Sequence, residues 1–299
     1  MSTQFIPSLL VPEIYFPVHH EQGFTVKLLE KMAADGFYRS FEIADGQDQQ
    51  ERKRILALKE QYHFHLTQWL TFLIDKNKLD VSSVDSQLRS ESVRQIKENI
   101  YLAAECGASN IAFVPGPDPG PERRLEAMEG FYHALCDICE EAAKYQMNVL
   151  VEHLDRFAHK KRLIGPMKDT VELLSRVAEK HDNIGLAFDT AHAALNKEGI
   201  AEALELAKAE IHQIHFSNAV VDPNSNLYGD FHMPIGEPGF LTIEKISDIL
   251  RKADELSLRS EHGLRVAVEV RGTDKDNYQA NEKTVRSILE KALGLVASR

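Results

Sequence analysis

Residues 184–193 read IGLAFDTAHA. A run of strand-forming apolar residues ends in an acid, Asp189, and His192 follows three positions later. Two readings of Asp189 stand side by side. An aspartate directly before a helix caps it, because its carboxylate accepts hydrogen bonds from the first free backbone N–H groups. Alternatively, the carboxylate belongs to a site assembled where strands end, a reading that gains weight only if other strands finish in the same way.

Working outward, short apolar runs recur along the chain: FIPSLLVP from Phe5, YRSFEIAD from Tyr38, HFHLTQWL from His63, NIAFVPG from Asn110, NVLVEHLD from Asn148, IGLAFDTA from Ile184, IHQIHFSN from Ile211 and LRVAVEVRG from Leu264. Between them lie segments whose apolar residues return every three or four positions, the period of an amphipathic helix. SESVRQIKENIYLAAECG, with Gly107 placed to cap its end, is one; DTVELLSRVAEKH, GIAEALELAKAE and TIEKISDILRKADEL are others. Strict alternation of strand and helix predicts right-handed βαβ units and a parallel sheet. Eight such units close a (β/α)8 TIM barrel, here a single domain over residues 1–299. The open doubly wound rival lacks a G-x-G-x-x-G after the first strand. Three long loops are expected, DKNKLDVSSVDSQLRSES, PGPDPGPERR and VVDPNSNLYGDFHMPIGEPGF.

Bulk properties narrow the function. The 299 residues are 43% hydrophobic, enough for one substantial core. Thirty-five Lys and Arg against 46 Asp and Glu leave a formal charge of -11, which repels phosphate backbones and anionic membranes and argues against nucleic acid as a partner. Cys106, Cys136 and Cys139 are too few and too clustered for a disulfide framework, which points to a reducing cytoplasm. Cys136 and Cys139 form C-x-x-C, but inside a helical pattern with no second pair to complete a zinc site. The first residues lack the basic and apolar regions of a signal peptide, and no run of 18 apolar residues suggests a membrane span.

In such barrels the strand ends carry the chemistry. The fifth run ends in Glu152, the sixth in Asp189, the seventh reaches His215 and the eighth carries Glu269. Burying four ionisable groups uncompensated costs several kcal/mol each, by order of magnitude. Three carboxylates and one imidazole converging from neighbouring strands suit one divalent cation, with Mg²⁺ or Mn²⁺ fitting the hard oxygens and the histidine extending the range to Co²⁺ or Zn²⁺. The alternative is that each acid is a separate cap or pairs with Arg156 or Arg271. His192 is aimed at the same mouth. Asp230 and His232 form D-x-H in a Gly- and Pro-rich loop and suit either a second metal or a grip on substrate. Glu42, His63 and His65 are weaker candidates, and Trp69, the only tryptophan, ends the third run as either a stacking platform or core.

These motifs together resemble the xylose isomerase-like TIM barrels, which include sugar isomerases and epimerases, tagatose/psicose 3-epimerases, inosose dehydratases and apurinic endonucleases of the endonuclease IV type. The likeness covers nearly the whole chain and is most specific in LAFDTAHA, IHQIHFSN, GDFHMPIGEPG and VAVEVRG. It implies that Glu152, Asp189, His215 and Glu269 hold the shared metal, that His192 hydrogen-bonds a substrate oxygen, and that Glu152 and Glu269 serve as an acid/base pair. Asp230, His232, Arg271, Trp69 and His65 are the expected remaining substrate contacts, and a homodimer or homotetramer is the expected assembly. Two departures stand out: the fourth run, FVPGPDPG, lacks the histidine that the endonucleases use for further zinc ions, and Pro238 interrupts the glycine-rich loop as GEPG.

The expected function is a metal-dependent isomerase or epimerase of a sugar-like substrate, working through an enediolate. A lyase using the same enediolate is the nearest rival, with His63, His65 or His232 protonating the leaving oxygen. A zinc phosphodiesterase and a non-catalytic sugar-binding protein are rivals of other classes.

Overall fold

A computed structural model describes residues 3–258 and 263–297. All eight apolar runs form strands, and nearly every strand residue is buried, as befits strands covered on both faces. In chain order the strands are β1 (Phe5–Leu10), β2 (Ser40–Ala44), β3 (His65–Trp69), β4 (Asn110–Phe113), β5 (Asn148–Glu152), β6 (Ile184–Asp189), β7 (Ile211–Val220), β8 (Gly229–Met233) and β9 (Leu264–Glu269). Strands β1 to β7 and β9 pair in parallel, and the ring closes through β9, which pairs with both β7 and β1. The result is a closed eight-stranded TIM barrel with helices outside, in one domain.

The helices follow their sequence periods. Residues Ile243–Glu255 bury Ile246, Ile249, Leu250 and Ala253 along one stripe, each large side chain contributing roughly 1.5–3 kcal/mol of burial. The helix Ser86–Glu105 ends where Gly107 turns left-handed at φ +74, and a Cβ there would meet Leu56 Cδ1 at 2.7 Å. Cys136 and Cys139 lie on the helix Arg124–Ala143, Cys139 in the core, and no metal-competent cluster among the described residues contains either. Among the described residues, no helix is long and apolar enough to cross a membrane.

Two of the expected long loops are more ordered than their polarity suggests. The stretch from Asp75 onward begins inside the helix Thr71–Asn77, and the helix Ser86–Glu105 starts within it, because Asp85 accepts from Gln87 N at 2.9 Å and caps the new helix. The segment after β7 contains β8, which folds back antiparallel on the end of β7 with Ala219 opposite Asp230 and Val220 opposite Gly229. That hairpin turns Asp230 and His232 towards the barrel mouth.

Candidate active site

Strand register places the four strand-end residues together. Asp189 and His215 are direct partners across β6 and β7, and Glu269 on β9 sits opposite Ser217, two residues beyond His215. Glu152 ends β5, the neighbour of β6. Each of the four is buried, and each offers a ligand atom within 4.8 Å of the others. Asp189 also caps its helix: Oδ1 accepts from His192 N at 3.0 Å, leaving the other oxygen for the centre. Asp189 is thus a helix cap and, at the same time, one of four ionisable groups that converge at the strand ends.

Charge decides between a cation site and a set of ion pairs. Arg156 is committed to Asp169 at 2.6 Å, and Arg271 to Glu13 at 2.7 Å. Among the described residues, no lysine or arginine forms an ion pair with Glu152, Asp189 or Glu269. Burial, reinforced by Glu269, pushes the Glu152 and Asp189 carboxyls above the usual range. Glu269 moves well below that range despite burial, because His232 and His215 face it. Three crowded carboxylates with only imidazoles for counter-charge match a divalent cation.

The deeper layer favours the same conclusion. Fully buried Glu42, at the middle of β2, accepts from Ser8 Oγ at 2.8 Å and Trp69 Nε1 at 2.7 Å, and its Oε2 lies 2.9 Å from His215 Nε2. Gln213 Nε2 donates to the same oxygen at 2.6 Å, so its 2.7 Å approach to His215 Nε2 is a shared-acceptor contact. With Nε2–H held by a carboxylate, the Nδ1 lone pair of neutral His215 faces inward, the arrangement found behind metal-bound histidines. Nδ1 lacks a hydrogen-bond partner yet lies 3.4 Å from Glu152 and 3.2 Å from Glu269. Burial opposes charge on this ring, but Glu42 and the two glutamates raise it well above the ordinary histidine value. The donor set fits a divalent cation at Glu152, Asp189, His215 and Glu269.

Around this centre is a cavity of about 180 Å³, lined by Leu10, Trp69, Phe72, Val114 and Leu154 together with the polar residues described below. His192 lines it, with Nδ1 3.3 Å from Asp155 and Nε2 3.8 Å from Asp230. Its ring is raised to about 9: burial opposes the charge, and Asp189, Asp155 and Asp230 overcome that opposition. In the D-x-H motif, Asp230 Oδ1 accepts from His232 N at 3.0 Å and stabilises a left-handed turn, φ +50 at His232. His232 Nδ1 then lies 2.8 Å from Glu269, a charge contact outside hydrogen-bond geometry. Despite burial, Glu269 and Asp230 raise this ring to about 9 as well. Arg271 lines the cavity while paired with Glu13 and stacked 4.3 Å over Phe16. Trp69 is both core and wall, its ring 5.3 Å from that of His215.

His65 does not belong to the site. It begins β3 whereas Trp69 ends it, so it lies roughly 13 Å down the strand, towards the opposite end of the barrel. It lines a separate surface pocket there with His63, which is the left-handed cap of the helix Gln49–Tyr62 and not a strand residue. Of the three histidines proposed to protonate a leaving group, only His232 is placed to do so. The sequence reading missed Glu13, Asp155, Lys160 and Arg162 at the mouth. Glu13 lies in the four-residue helix Val11–Ile14 and the other three in the loop after β5, where no periodicity marks them; the one available signal was that Asp155 follows Glu152 by three.

A sequence profile of the xylose isomerase-like TIM barrel family matches residues 26–287. No curated protein sequence matches the chain significantly. Among solved structures, a D-tagatose 3-epimerase-like protein superposes with a TM-score of 0.74 at 19% identity, covering 99% of this chain and 98% of the other. The D-psicose 3-epimerase from Clostridium cellulolyticum H10 gives 0.69 at 16% identity, with coverages of 99% and 98%. An IolI protein with a bound zinc atom gives 0.68 at 15% identity, again with 99% and 98%. These likenesses agree with the barrel and its closure, and the profile covers the segments carrying all four strand-end residues: the chain belongs to the xylose isomerase-like TIM barrel family.

Proposed function

We propose that the protein is a divalent-metal-dependent epimerase or isomerase of a ketose or similar polyol. The observation that carries this is the buried set Glu152, Asp189, His215 and Glu269, which has no arginine or lysine paired to its carboxylates among the described residues. When bound, the cation would polarise a substrate carbonyl and its neighbouring hydroxyl, acidifying the C–H between them. The chain's residues then move the proton. A carboxylate oxygen of Glu152 or Glu269 removes it from one face of the carbon, and the other glutamate returns a proton to the opposite face. His192, held by Asp155, would donate to a substrate oxygen and fix the ring or chain in place. The apolar wall of Trp69, Leu10 and Leu154 excludes water from the enediolate.

Tagatose, psicose and fructose incubated with Mn²⁺-loaded protein in D2O provide the test. Expected are a new epimer or isomer and deuterium at the reacting carbon, both abolished by Glu152→Gln. Full activity after chelation would defeat the proposal, and an unsaturated product would move the reaction to the lyase class, with His232 as the acid. We also assign a small carbohydrate, not nucleic acid, as the partner of this acidic cavity.

A further inference from the structure

We propose that the natural substrate carries a carboxylate, received by Arg162, in addition to the polyol or keto group addressed by the four strand-end residues. This rests on the sugar-isomerase reading above. Arg162 is half-buried and lines the same cavity as Glu152, His215 and Glu269. Its backbone is pinned from both sides. Arg162 N donates to Asp155 O at 3.1 Å, Asp118 N donates to Lys161 O at 3.0 Å, and Leu163 N donates to Gly116 O at 3.0 Å. Residue 162 thereby bridges to Pro117 in the loop after β4.

On this fixed platform the guanidinium makes no hydrogen bond or ion pair with any described residue, while the other two cations lining the cavity, Lys160 and Arg271, and the nearby Arg124 and Arg156 are committed. Arg124 forks onto Asp118 at 3.0 and 2.6 Å, Arg156 holds Asp169, Arg271 holds Glu13, and Lys160 spends its charge on Asp230 at 3.1 Å. A permanent cation with five donors, held over a cavity without a protein partner, is matched by an anion that arrives with the ligand. A planar carboxylate can accept two parallel N–H bonds from one guanidinium. A phosphate, closer to a dianion, would bring surplus negative charge towards Glu13, Asp75 and Asp230 in the same walls.

The experiment is calorimetric titration of metal-loaded protein with fructose, its 6-carboxylate fructuronate, and fructose 6-phosphate. Fructuronate is expected to bind at least about tenfold more tightly than fructose, the difference one charge-assisted pair supplies. Arg162→Gln closes that gap to within about twofold, and Arg162→Lys, which keeps the charge but loses the fork, leaves an intermediate gap. Thermal unfolding and metal content check that both variants are folded. No difference between fructuronate and fructose in the wild type, or a preference that survives Arg162→Gln, overturns the proposal; tighter binding of the phosphate overturns the carboxylate assignment. Deuterium exchange into fructose is followed in the same preparation. Exchange without charge preference sinks the Arg162 assignment alone, whereas absence of both metal and exchange sinks the isomerase reading beneath it.

Discussion

Replacing Glu42 by Gln tests the site from below, through a residue that touches no substrate. Glu42 Oε2 takes three donors, from Trp69, Gln213 and His215, while Oε1 takes Ser8. In the variant the amide oxygen best replaces Oε2, and the amide nitrogen donates to the Ser8 hydroxyl, which rotates to accept. Hydrogen-bond number is then preserved, and the change is the loss of charge. Three bonds that fall from charge-assisted to neutral lose about 1 kcal/mol each. Relief from burying a carboxylate offsets part of this, while buried Arg265, whose charge Glu42 supports, is left without it. The net expectation is a loss of about 1–2 kcal/mol in urea unfolding. Metal affinity should fall about 10- to 100-fold, because the carboxylate no longer fixes the His215 tautomer or makes Nδ1 more basic. Calorimetric titration with Mn²⁺ or Zn²⁺ reads this directly. Affinity within twofold of wild type would mean that Nε2–H is not held by Glu42, and the assignment of Nδ1 as the inward-facing ligand atom would be wrong.

Other expectations concern single residues. Asp189→Asn keeps a good helix cap and should leave stability nearly unchanged while metal content falls from one ion per chain towards none; Asp189→Ala should lose the metal and about 1 kcal/mol more. Equal metal binding in both variants would reduce Asp189 to a cap. For His192 the folded value of about 9 exceeds the ordinary 6.5, so the protonated ring stabilises the metal-free protein fully below about pH 6.5, and the contribution is lost as pH rises through 9. Unfolding temperatures of stripped protein should therefore fall between pH 7 and 9. His192→Gln should flatten part of that slope, the remainder belonging to His232 and His215, whose rings are also raised; an unchanged slope counts against the pairing with Asp155. Burial pushes the Cys106 thiol up to about 12 and raises that of Cys139, so alkylation of native protein at pH 8 should label Cys136 first. Cys139 labelled as fast as Cys136 would contradict the packing of the helix Arg124–Ala143.

Local order was legible in the chain because it depends on near neighbours. Eight apolar runs of strand length, helical periods between them and acids at consecutive strand ends were enough for a closed barrel and for the set Glu152, Asp189, His215 and Glu269. A strand's direction is set by the alternation around it, so a residue ending one run must share a rim with residues ending the others. The same logic misled at His65. Its residue type suggested chemistry, yet it starts β3 and so faces away from the mouth. Polar loops hid the rest. Nothing in GDFHMPIGEPGF announces that β8 folds back on β7, or that Asp230 bends the chain left-handed to present His232. Only closure of the ring brings Glu42 of β2 to within 2.9 Å of His215 on β7, 173 positions away, and only the packed loops show that Arg271 is committed to Glu13 while Arg162 is not. Which charges compensate one another depends on distance through space, and that distance is created by the fold.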